Sequence, residues 1–368
     1  MCIKDRGRLV RSADAIKSGR ISVGFIGGSI TAGHPHTGGM ESNWPDFIRG
    51  WFMRKYPNVR LTLLNTAIGG NGTLSGIMRA RKEISEPDCD LVFIECAVND
   101  GTGESFIRIQ EGLIRQLLEK RRDIVLVYTF SQSMYQDMAA HRVPPSITQL
   151  ESLAERYRIP SVWMGKHALD AIRSGIVSWS AFLPESGGRI HPERAGSGLY
   201  AEQVIEYLEK SLSGNENEGE EIPFGNYLPE PVEPGYYGRI NEIAPEHWNI
   251  SGPWVWMREL ACPWYERVLY TTSPSAELSF SFRGRALAAH LNFGRRSAVW
   301  RCRIDGGEWI EIYGPRVYYV PEQDYCMALM LAENLPLGDH IFELTLFHGD
   351  SEFCTGTDCK IYTFVEME

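Results

Sequence analysis

No run in the 368-residue sequence approaches the roughly 20 apolar residues that a membrane-crossing helix needs. The opening Met1-Cys2-Ile3-Lys4-Asp5-Arg6 has no apolar stretch after its early charges, so it does not read as a signal peptide, and a cytoplasmic location is expected. Basic residues are in deficit: 37 Lys and Arg face 47 Asp and Glu, a net charge of −10, which removes the electrostatic footprint for nucleic acid or an anionic membrane surface. The eight cysteines (2, 89, 96, 262, 302, 326, 354 and 359) include no Cys-x-x-Cys pair and no Cys/His set at zinc spacing. Free thiols are expected; Cys354 and Cys359 are close enough in sequence to bridge in an oxidising compartment, although a reduced pair in a loop is the expectation. Internal repeats and low-complexity tracts are also missing, so any partner has to be argued from a site.

What is present is an ordinary globular composition, 43% hydrophobic and 23% charged, on a chain longer than one core usually supports. Two domains are expected. Apolar runs at 21–26, 60–67, 90–95, 124–128 and 160–164 read as strands, and amphipathic stretches at 44–56, 73–84, 105–121, 147–157 and 193–212 read as helices. Asn43 is placed to cap the first of these helices, with Pro45 in its first turn. This alternation predicts a parallel sheet between helices, with the loops after successive strands gathered at one edge, where such sheets bind ligands. The acidic, apolar-poor segment 213–222 reads as a linker. Beyond it Pro, Trp and Tyr become dense and the pattern alternates strictly, as in Ala276-Glu277-Leu278-Ser279-Phe280-Ser281-Phe282. Asp305-Gly306-Gly307 marks a hairpin, and residues 223–368 read as an antiparallel β-sandwich.

Three glycine- or asparagine-rich loops follow the first three strands. Gly27-Gly28-Ser29-Ile30-Thr31 caps the first and presents a serine, with glycines ahead of it to permit close backbone approach. Asn65-Thr66-Ala67-Ile68-Gly69-Gly70 follows the second, and Ala97-Val98-Asn99-Asp100 the third. Ile190-His191-Pro192 precedes the last helix. Taken singly, each has a plain reading as turn, helix entry or capping residue. Together, in this order, they resemble the sequence blocks of the SGNH (GDSL-type) hydrolases over about residues 20–210, and the region after the linker resembles more loosely the jelly-roll modules of SGNH carbohydrate esterases.

That resemblance implies a flavodoxin-like three-layer α/β/α domain, ester hydrolysis with Ser29 as nucleophile and His191 as base, and an oxyanion hole from Ser29 N–H, Gly70 N–H and the Asn99 amide. No cofactor or metal is implied. Asp100 is expected to organise its loop. The family's Asp-x-x-His is incomplete, since Gly188 stands three residues before His191. Three accounts follow: a Ser-His dyad oriented by a main-chain carbonyl, which is favoured; substitution by Glu185 or Glu193; or a weakened enzyme that binds carbohydrate. The expected substrate is an acetylated oligosaccharide of the xylan type, with a general short-chain ester as the alternative, and a homo-oligomer is left open. His34 and His36 read as polar groups at the mouth of the site rather than metal ligands. Of the ten tryptophans, Trp248, Trp254, Trp256, Trp264, Trp300 and Trp309 fall in the second domain, mostly as core, with any exposed one a candidate sugar platform.

Overall fold

The computed structural model describes residues 2–33, 41–212, 220–258, 262, 264–312, 325–349 and 355–368. The chain divides into two compact units, Met1–Tyr237 and Gly238–Glu368. The strands of the first are β1 Ile3–Lys4, β2 Gly7–Arg8, β3 Arg20–Gly27, β4 Arg60–Asn65, β5 Leu91–Glu95, β6 Asp123–Val127, β7 Ser161–Val162 and β8 Glu220–Glu221. Its helices are α1 Val10–Lys17, α2 Ser29–Ala32, α3 Trp44–Lys55, α4 Thr73–Ala80, α5 Glu104–Glu119, α6 Tyr135–Ala139, α7 Pro145–Arg156, α8 Met164–Arg173, α9 Trp179–Phe182 and α10 Arg194–Ser211.

The main sheet runs β1-β7-β6-β5-β3-β4, parallel except for β1. Strands buried on both faces must be apolar along their whole length, and β5 and β6 are buried at every position. From β3 the chain passes to β4 on one side and then to β5 on the other. This reversal makes the β3/β5 edge the topological switch point, where the carboxyl ends of adjacent strands diverge and leave a crevice. Trp44, at the start of α3, is fully buried edge-on to Phe25 of β3 and Phe93 of β5. Asn43 caps that helix through Asp46 N–H, 3.1 Å away, and its own amide donates to Thr31 O at 2.8 Å, so the cap also holds the loop after β3.

The expected elements are present, with several differences. The stretch 160–164 forms only a two-residue strand before α8 begins at Met164, and α1 and the edge strands β1 and β2 were not expected; these pieces are too short to impose a period. The division between units falls at Tyr237/Gly238, not at residue 222. Residues 220–237, whose prolines resemble the composition of the second unit, form a strap on the first. β8 pairs in parallel with β2, and the Arg121 guanidinium lies 4.4 Å over the Phe224 ring. Arg115 and Arg156 donate to Pro229 O and Glu230 O, each at 2.8 Å. Buried Glu111 of α5 accepts the N–H groups of Val232 and Glu233, both at 2.7 Å, and the Tyr157 hydroxyl at 2.5 Å. Most of the linker expected at 213–222 lies outside the described residues.

The second unit contains β9 Ile240–Glu242, β10 Asn249–Ser251, β11 Val255–Met257, β12 Val268–Thr271, β13 Glu277–Gly284, β14 Ala286–Phe293, β15 Val299–Ile304, β16 Ile310–Ile312, β17 Tyr325–Ala332, β18 Gly338–Phe347 and β19 Cys359–Met367. They form two antiparallel sheets, β10-β13-β18-β15-β16 and β11-β12-β19-β14-β17, with β9 on β19. Alternate residues of both meet in one core that includes Phe280, Phe342, Phe364, Leu291 and Trp300. Asp305 and Gly306, both at positive φ, turn the expected hairpin between β15 and β16. Trp248 and Trp300 are core residues, while Trp254, Trp256, Trp264 and Trp309 are half-buried. The cysteines brought together are Cys262 and Cys326, with sulfurs 2.8 Å apart; Cys354 lies outside the described residues.

Candidate active site

The loops after β3, β4 and β5 lie side by side at the carboxyl edge. Ile68 N–H donates to Gly27 O, which seats the second loop against the first. Gly28 leaves β3 extended, at φ −93° and ψ −155°, and Ser29 opens the single-turn α2, which Gly33 ends at φ +93°. Ser29 is therefore the first residue of a helix, where its N–H has no acceptor in its own ladder and its half-buried side chain faces the crevice. Gly28 cannot be replaced without displacing the Asn99 side chain, because a Cβ there would fall 2.1 Å from Asn99 Oδ1.

His191 reaches Ser29 from the other side of the edge, its Nε2 2.7 Å from Ser29 Oγ. The loop that delivers it is a tight turn: Glu185–Gly187 is 3₁₀, and Gly188 and Arg189 are left-handed at φ +63° and +56°. This brings the Gly187 carbonyl over the ring, where it accepts both His191 N–H, at 3.1 Å, and Nδ1–H, at 2.9 Å. Nδ1 thus carries the ring proton and Nε2 offers a lone pair to the serine. Burial pushes the imidazole below its ordinary value, against the opposing effect of the Gly187 carbonyl. Neither glutamate is the partner of Nδ1: exposed Glu185 pairs with Arg189, and Glu193 lies 3.5 Å from Ser186 Oγ. A side chain at Gly188 would meet nothing within 4 Å.

Gly70 ends the second loop at φ +63°, a conformation that glycine adopts without strain. Asn99 is exposed in the turn after β5, against Gly28. Asp100 behaves as a loop organiser. It accepts Thr73 N–H at 2.8 Å, Thr73 Oγ1–H at 2.5 Å and Gln110 Nε2–H at 2.9 Å, tying the second loop to the third. Residues 34–40, with His34 and His36, lie outside the described residues, and no three His, Cys, Asp or Glu gather as a metal site among those described.

One group at this edge was not anticipated. Glu95, the last residue of β5, is buried under the Ser29 loop, where Thr31 Oγ1 donates to it at 2.9 Å, Thr129 Oγ1 at 2.6 Å and Gly28 through its N–H. The signal was a lone carboxylate closing the apolar run Leu91-Val92-Phe93-Ile94. Gly187 carried no signal, because it acts through a carbonyl that every residue has.

No family model matches the sequence, and no curated protein does. Among solved structures, a two-domain esterase (CEX) active on acetylated mannans, co-crystallised with mannopentaose, is similar over 100% of this chain and 96% of its own, at 19% identity and a TM-score of 0.83. A second crystal structure of a two-domain esterase (CEX) active on acetylated mannans gives the same identity and TM-score over 97% of its length. Axe2, an acetylxylan esterase from Geobacillus stearothermophilus, aligns with 51% of this chain and 94% of its own at 17% identity and a TM-score of 0.40. The chain thus has, over its whole length, the fold of the two-domain esterase: an α/β/α domain with a mainly parallel sheet followed by an antiparallel β-sandwich.

Proposed function

We propose that the chain is a serine ester hydrolase that removes acetyl groups from oligosaccharides through a Ser29–His191 dyad. One observation carries the reading: a serine oxygen 2.7 Å from an imidazole nitrogen whose opposite nitrogen is fixed on a carbonyl. His191 Nε2 takes the Ser29 proton as Oγ attacks the ester carbonyl, and the oxyanion forms against Ser29 N–H, Gly70 N–H and the Asn99 amide. The imidazolium returns its proton to the departing sugar oxygen, and water then repeats the sequence on the acetyl-serine. The Gly187 carbonyl keeps the productive tautomer, as an aspartate would, without supplying a full charge.

The solved two-domain esterase of the same fold is active on acetylated mannans, which supports an acetylated carbohydrate as substrate and places manno-oligosaccharides beside xylo-oligosaccharides on the panel. The test compares wild type with Ser29→Ala on p-nitrophenyl acetate and follows acetate loss from both oligosaccharide classes by mass spectrometry. Turnover should fall by roughly 10³-fold or more in the variant. Equal rates overturn the hydrolase reading. Cleavage of butyrate and octanoate esters, with acetylated sugars untouched, overturns the substrate class alone.

A further inference from the structure

Glu95 takes no part in the steps above, yet it is 1% exposed at the end of a central strand and directly beneath the nucleophile loop. Its hydrogen bonds favour the ionised form against its burial. Gly28 N–H can only donate. Thr31 Oγ1 accepts the Trp44 indole N–H at 3.0 Å and gives its own proton to Glu95 Oε2 at 2.9 Å. Thr129 donates to Oε1. A carboxylate accepts all three. A carboxylic acid would have to turn its own proton on one of the two threonine hydroxyls, which would then stop donating to Glu95 and need another acceptor inside the core.

The donors come from both sides of Ser29, one residue before it and two after it. We propose that the Glu95 carboxylate is a positioning residue for the nucleophile: by holding Gly28 N–H, Thr31 Oγ1 and Thr129 Oγ1 together it fixes the peptide that presents Ser29 to His191, and only its ionised form accepts from all three. This inference rests on the hydrolase reading. The titratable groups bearing on Glu95 are Asp100 from the loop that follows β5, Cys96 beside it and Tyr200 of α10, and burial keeps the latter two neutral. Burial also pushes the Glu95 carboxyl up to about 7. Glu95 therefore loses its proton at higher pH than His191, whose value burial lowers, and its ionisation sets the acid limb.

The experiment is the pH profile of kcat on p-nitrophenyl acetate for three chains. Wild type should show an acid limb near pH 7. Glu95→Gln, of the same shape, should lower kcat by roughly 10- to 100-fold with KM within about threefold, and its acid limb should move down to that of His191. Thr129→Val, which removes a donor to the anion outside the dyad and oxyanion groups, should move the limb up by about half to one pH unit. A limb unmoved in both variants overturns the proposal, whatever happens to stability. If Glu95→Gln does not fold, Thr129→Val decides alone. A wild type without Ser29-dependent hydrolysis sinks the hydrolase reading, and the His191 ring ¹⁵N shifts then test the positioning role: a step near pH 7 that the variants shift or abolish supports it, and a single His191 titration overturns it.

Discussion

At the scale of single residues, the missing aspartate is explained by the backbone at Gly188. In the left-handed turn a Cβ at this exposed position would meet nothing within 4 Å, and His191 Nδ1 is already held by the Gly187 carbonyl. Gly188→Asp should leave kcat within about twofold and cost about 1 kcal/mol through its positive φ, read as a lower melting temperature at unchanged activity. A gain in kcat would mean that the loop rearranges to rebuild a triad. Stability should have its own pH dependence. Burial raises the carboxyls of Glu95 and of Asp123, which accepts Ser12 N–H and Oγ–H at 2.7 Å, to about 7 each. Between an unfolded value near 4 and a folded value near 7 the native state binds the extra protons, so stability is greatest at the acid end of this window and falls as pH rises through 7. Glu151, held at about 2 by Arg6 and Lys4 against its desolvation, acts oppositely and only at lower pH. Scanning calorimetry from pH 5 to 8 should show a falling melting temperature, with a shallower slope in Asp123→Asn.

At the scale of elements, the parallel sheet and its three convergent loops were legible in the sequence because buried strands require long apolar runs and glycine-rich loops interrupt them. Ser29 and Asn99 stand out as the chemically distinctive residues of loops at strand ends, and His191 as that of the loop before α10. The orientation of His191 was only partly legible. Gly188 announced that no carboxylate stood in its expected place, but which carbonyl replaced it depended on two successive left-handed residues, and Arg189 gives no sign of being one. The tryptophans of the second unit, the expected candidates for a sugar platform, are buried or half-buried where described; an exposed aromatic pair, Tyr135 and Trp179, lies on α6 and α9 of the first, edge to face at 5.6 Å. Trp179 also packs at 5.7 Å on Phe130, which follows β6 at the carboxyl edge. Under the proposed function, Trp179→Ala should raise KM for acetylated oligosaccharides by roughly 5- to 30-fold and leave p-nitrophenyl acetate kinetics unchanged, because a stacked sugar ring contributes about 1–2 kcal/mol and the small ester has none. Steady-state kinetics on both substrates check this.

At the scale of the whole molecule, composition located the change of architecture but misplaced the boundary by about fifteen residues. Pro223, Pro229, Pro231 and Pro234 look like the second unit, while the hydrogen bonds of their neighbours go to α5 and α7 of the first. A chain cut at residue 222 leaves Glu111 buried with two of its three donors gone, a loss on the order of 3–5 kcal/mol, so residues 1–237 should melt at least about 5 °C above residues 1–222 in differential scanning fluorimetry. Comparable melting of the two would show the strap to be ornamental. The strap also sets an order of events on the ribosome. Glu111 leaves the exit tunnel more than a hundred residues ahead of Val232 and Glu233, so the nascent sheet must wait, with one helix incompletely sheltered, until the threshold of the second unit has been synthesised.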